Sequence, residues 1–80
     1  MSEEAKHPKR YNNGSGIECI DCIRAVTYNL KADEAWQVGS AVKYLYRFQE
    51  KDPLGSLQKA IECIQMEIDY VKKHPEQYKI

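Results

Sequence analysis

Residues 52–75 read DPLGSLQKAIECIQMEIDYVKKHP, and the fold class follows from this stretch. Asp52 is a favoured helix N-cap residue, and Pro53 suits the first helical position, where a missing N–H and a fixed φ do no harm. Leu57, Ile61, Ile64, Ile68 and Val71 then recur in alternating steps of four and three, the period of a helical packing seam. Pro75 disfavours helical backbone in the residue before it. The spacing therefore predicts one helix from Pro53 to about His74. Cys63, Met66 and Tyr70 form a second apolar strip away from that seam. A helix with two apolar faces wants two partners, so the strip is expected to meet a second copy of the chain.

Upstream, Ser15-Gly16-Ile17-Glu18 reads as a capping box, with the Ser15 hydroxyl accepting from the Glu18 amide. A first helix follows to about Asn29, with Cys19, Ile20, Ile23, Val26, Thr27 and Leu30 on one arc. Asp33 is the expected N-cap of a second helix running to about Glu50, whose inner stripe is Ala35, Val38, Val42, Leu45 and Tyr46. Nothing alternates with period two for long enough to argue a strand. The expected fold is all-α: a small antiparallel three-helix unit with an N-terminal arm, self-associating. Residues 1–14 read as a basic arm or loop, 15–74 as a single helical domain, and 75–80 as a C-terminal tail.

The chain has 80 residues, enough for one domain that buries only about 60–65% of its unfolded surface. Twelve Lys+Arg balance twelve Asp+Glu, which excludes a generally basic nucleic-acid-binding coat. No apolar run approaches the roughly 18 residues of a membrane span, and the first residues do not read as a signal peptide. A soluble, cytoplasmic protein with no membrane partner is expected. The three cysteines are an odd count for a disulfide scaffold. Cys19 and Cys22 stand at CxxC spacing, and with Cys63 and either His7 or His74 they make a zinc set the alternative. Their apolar, helical setting favours packing.

The second helix holds the most informative arrangement. Trp36, Ser40, Lys43, Tyr44, Arg47 and Lys51 share a stripe roughly 80–100° wide, opposite the apolar one. Interleaved aromatics and cations can stack a base and neutralise phosphate; the alternative is that the rings cover a neighbouring helix and the cations lie in water. Glu18 and Asp21, three apart, can hold Mg²⁺, and no other cofactor is implied. A catalytic site of the all-α pyrophosphohydrolase kind needs a second acidic pair, and Glu62 and Glu67 are five apart. There is no phosphate-binding GxxxxGK[ST] loop. A self-contained enzyme is not expected.

Arg10-Tyr11, Gly16-Ile17-Glu18-Cys19-Ile20-Asp21, Gly39 through Arg47 (GSAVKYLYR) and Leu57-Gln58-Lys59-Ala60 occur in an order that resembles the small SaV-like family of tailed-phage proteins. That family reads His-Tyr, Gly-Ile-Glu-x-Ile-Asp, Gly-Asn-x-x-Lys-Tyr-Leu-x-Arg and Asp-Leu-x-Lys-Ala. This chain departs from it at Arg10 and Ser40. The resemblance implies phage origin and a link to nucleotides, because the domain also occurs in a larger phage deoxynucleoside monophosphate kinase. The combined expectation is a phage accessory protein that binds a nucleotide-like anionic ligand, serving nucleotide metabolism or sequestering a nucleotide defence signal. Lys43 and Arg47 would hold phosphate, Trp36 or Tyr44 would stack, and Tyr11 with the basic arm would close the site. The rivals are a nucleotide-kinase-related enzyme and an inhibitor that docks on a host protein.

Overall fold

The computed structural model describes residues 11–78. Among them are four helices and no strand: α1 (Cys19–Val26), α2 (Ala32–Arg47), α3 (Pro53–Lys73) and α4 (Pro75–Tyr78). The expected basic arm lies outside the described residues as far as Arg10. The expected tail begins as the single turn α4, with residues 79–80 also outside.

The start of α3 follows its sequence. The Asp52 carboxylate accepts from the Gly55 amide at 3.3 Å, and Pro53 occupies the first turn. Asp52 itself is left-handed, with φ 46°, a conformation its short polar side chain tolerates better than most. At the other end His74 caps the helix, its amide donating to Val71 O. Its Nδ1 lies 2.8 Å from Tyr70 O and its ring stacks on Tyr70, centroids 4.0 Å apart.

The other boundaries correct the sequence reading. The capping box does not form: Ser15 Oγ accepts from the Ile17 amide instead, α1 begins at Cys19, and Glu18 is the N-cap through its backbone. The helix stops at Val26, where Thr27 takes over the Ile23 carbonyl with its amide and its hydroxyl. The N-cap of α2 is Lys31 rather than Asp33; Asp33 and Glu34 fall in the first turn, where carboxylates favour the positive end of the helix dipole.

α2 is the middle element, packed on α1 on one side and on α3 on the other. Its contact with α1 is made at Gly39. A side chain there would reach Ile23 Cγ2 at 3.2 Å and Thr27 Cγ2 at 3.5 Å, so the missing Cβ sets how closely α1 lies. On α3 the inward face is not the aliphatic seam. Ser56, Ala60 and Cys63 are buried, and Glu67, Tyr70 and His74 continue the same face half-buried. This row has the same four-and-three rhythm as the seam, displaced by one residue, or about 100° around the helix. Ile61, Ile64 and Ile68 remain 58%, 43% and 41% exposed. The physical reason is close approach: the buried residues of the two helices include the small Ala41, Ala60 and Cys63, which permit tighter packing than branched aliphatics, and the longer side chains are left along the edge. The strip Cys63, Met66 and Tyr70, expected to face outward, is corrected with it. Cys63 is buried, Tyr70 is half-buried against His74, and only Met66 is open.

Candidate functional site

The basic stripe of α2 converges near the helix C-terminus. Arg47, the last residue of α2, is only 8% exposed. Its Nη1 donates to the Tyr11 hydroxyl at 3.1 Å, and its Nε is buried with no hydrogen-bond partner. The guanidinium carbon lies 4.7 Å from the Tyr44 ring centroid, Lys43 Nζ 4.7 Å from it, and Lys59 Nζ of α3 5.7 Å from it. Three cations thus surround one aromatic ring, and among the described residues no carboxylate pairs with any of them. Burying a cation without a counter-charge is costly, so the arrangement favours an incoming anion.

Two further features add to the positive field. Burial is the main cause raising the pKa of the Cys19 thiol, with the charge of Cys22 adding to it, while Lys43 and Arg47 pull it down. Both cations therefore act on the first turn of α1, the positive end of that helix dipole. Trp36, Ser40 and Lys43 also line a shallow pocket of about 210 Å³ with Ile23 of α1 and with Ala35 and Gly39. Trp36 is 61% exposed, its ring free to take a stacking partner. Lys51 is exposed beyond the end of the helix. Of the stripe expected from sequence, the structure brings Lys43, Tyr44 and Arg47 into one cluster, which Tyr11 joins as expected through Arg47, and places Trp36 and Ser40 in the adjoining pocket.

The acidic pair does not join this cluster. Asp21 is engaged by Arg24 at 3.6 Å, and Glu18 serves as the backbone cap of α1. Among the described residues no group of three or more His, Cys, Asp or Glu side chains could hold a metal ion. The thiols of Cys19 and Cys63 are both raised, chiefly by burial, which suits packed neutral thiols rather than thiolate ligands. His74 is turned toward Tyr70.

A second polar cluster was not foreseen. Glu34 of α2 is buried and is held by the Tyr78 hydroxyl and by Gln77 Nε2 at 3.2 Å, both from α4. Glu67 of α3 is its neighbour. Burial, then the hydrogen bond and charge of Glu34, push Glu67 up to about 7. Burial also acts upward on Glu34, but the hydrogen bonds from Tyr78, Glu67 and Gln77 outweigh it and hold Glu34 below its ordinary value. The shifts run in opposite directions, so of the two carboxyls Glu34 loses its proton more readily. Tyr78 rises to about 12, mainly because it donates to Glu34. The sequence carried one sign of this: Glu67 falls on the Ser56–His74 row, a position where a carboxyl would be buried.

The fold and cluster define a small helical protein with three cations gathered around Tyr44 of its middle helix. The chain belongs to the family described as protein of unknown function DUF3310, whose model matches residues 5–65. That span contains the whole cationic cluster and stops short of Glu67 and Tyr78. No curated protein and no solved structure matches the chain.

Proposed function

We propose that this protein binds a nucleotide-like anionic ligand at the Tyr11–Lys43–Tyr44–Arg47 cluster, with the phosphate on Arg47 and Lys43 and the base toward Trp36. The observation that carries the reading is Arg47, nearly buried, with an unpartnered Nε and two further cations around the same ring. A phosphate beside the cluster would supply the missing counter-charge, the Lys43 ammonium adding a charge-assisted hydrogen bond. The resemblance to the SaV-like tailed-phage proteins supports placing that binding in the host cytoplasm during infection, in nucleotide metabolism or in capture of a nucleotide defence signal. Phosphoryl transfer is the weaker reading, because Asp21 is engaged by Arg24 outside the cluster.

Calorimetry with mono-, di- and cyclic nucleotides tests the proposal. Wild-type protein should bind at least one class below millimolar concentration. Arg47→Ala should weaken that binding about tenfold or more, in line with about 1.5–3 kcal/mol for a shielded hydrogen bond to a charged group. Lys43→Ala, at a half-buried position, guards against a folding defect and should lose binding in the same direction. Lys73→Ala, on the exposed end of α3, should bind like wild type. Absence of binding below millimolar, or unchanged binding in both cluster variants, would leave the stripe a solvated face.

A further inference from the structure

One cation of the Tyr44 cluster comes from a different helix, and a single phosphate gives it nothing to hold. Lys59 of α3 is exposed, and its Nζ lies 5.7 Å from the Tyr44 ring centroid. Lys43 Nζ and Arg47 Cζ of α2 each lie 4.7 Å from the same point. Three positive charges therefore surround one ring, and among the described residues no carboxylate is ion-paired with any of them. Cations drawn to a ring compete with a base for its faces. This commits Tyr44 to the cations and leaves Trp36, 61% exposed, as the ring for a base.

Spacing along α2 sets what must follow the base. Trp36, Lys43 and Arg47 fall within about 40° of one line on the helix, with Lys43 about 10.5 Å and Arg47 about 16.5 Å of rise beyond Trp36. A nucleoside on Trp36 meets Lys43 first. The charge beyond it, on Arg47 and across on Lys59, is met only if the phosphate chain continues. Charge balance points the same way. A cyclic phosphodiester carries one negative charge and a monophosphate about 1.5–2 at pH 7, so either leaves part of the cluster unmatched; one further phosphate balances three cations. We propose that the ligand carries a pyrophosphate unit, as in a nucleoside diphosphate or triphosphate, with its first phosphate at Lys43 and its second reaching the Lys59 ammonium of α3. Arg47, only 8% exposed and tied to Tyr11, adds its charge beside them. This inference rests on the ligand reading and names the class of nucleotide.

Calorimetry on the full chain in buffer free of divalent cations tests it, with the cyclic monophosphate, monophosphate, diphosphate and triphosphate of one nucleoside. The adenosine and thymidine series are each run, beside inorganic phosphate and pyrophosphate. The diphosphate should bind about tenfold or more tighter than the monophosphate, as one added charge-assisted contact would give. Pyrophosphate should likewise outbind phosphate. Lys59→Ala, at an exposed position, should keep its helicity, lose most of the preference for diphosphate and change monophosphate binding little. Lys59→Arg keeps the charge and should keep the preference. Monophosphate or cyclic nucleotide binding as tightly as diphosphate overturns the inference and leaves the ligand reading standing, as does an undiminished preference in Lys59→Ala. Absence of binding by every nucleotide overturns both.

Discussion

Tyr46 holds the segment before α1 with one hydroxyl. It accepts from the Asn13 amide at 3.2 Å and donates to the Ile17 carbonyl, and the same segment brings Tyr11 to Arg47. The apolar stripe of α2 suggested an inward ring, and the ring is half-buried; what its hydroxyl reaches could not be read from spacing, because Asn13 is 33 residues away. Tyr46→Phe should lower stability by about 1 kcal/mol, the usual net worth of a hydrogen bond, since water can reach the freed groups. Urea unfolding measures this, and an unchanged midpoint would show the clamp to be idle. Asp52 is the opposite case. Its cap was legible because the partner, Gly55 N, is three residues away.

At the scale of elements, α1 depends on a missing side chain. Gly39 faces Ile23 and Thr27 so closely that Gly39→Leu has no space and should destabilise by about 1–3 kcal/mol, the usual cost of overpacking. Gly39→Ala needs only a few tenths of an ångström and gains up to about 1 kcal/mol of helix propensity, so it should stay near wild type. Denaturant melts of the two variants check the contrast; equal midpoints would mean that α1 is not seated by Gly39. Because α1 also borders the cationic cluster, the leucine variant should bind nucleotide more weakly as well.

For the whole molecule, the Glu34–Glu67 pair joins the start of α2 to α3 and to the end of the chain through Gln77 and Tyr78. Asp33, Tyr70, His74 and Glu76 also act on this cluster. Glu67 has a folded pKa of about 7, above its ordinary 4.5, so its contribution is fully present below about pH 4.5 and is lost as pH rises through 7. Glu34 is shifted the other way; its contribution is present above the ordinary carboxyl range and is lost on acidification. Melting temperature should therefore fall between about pH 5.5 and pH 8. Glu67→Gln keeps a donor toward Glu34 and removes the titration, so its melting temperature should vary less across that interval. An equally steep fall in that variant would assign the dependence to other groups. Among the described residues no helix is long and apolar enough to cross a membrane.

What the sequence determined by itself was local. The all-α class, the capped start of α3, its end before Pro75, and the gathering of Lys43, Tyr44 and Arg47 on one side of α2 all depend on residues within about four positions of each other, the reach of helical geometry. Tertiary structure decided the rest. Two rows on α3, one residue apart and equal in period, competed for α2. Ser56–Ala60–Cys63 took the contact over Leu57–Ile61–Ile64 because small side chains let the helices approach and so bring more atoms within van der Waals range. The same choice left Glu67 half-buried beside Glu34 and the aliphatic Ile61, Ile64 and Ile68 exposed. The burial of Arg47 was decided in the same way, by residues from Tyr11 to Lys59 that only the folded chain brings together.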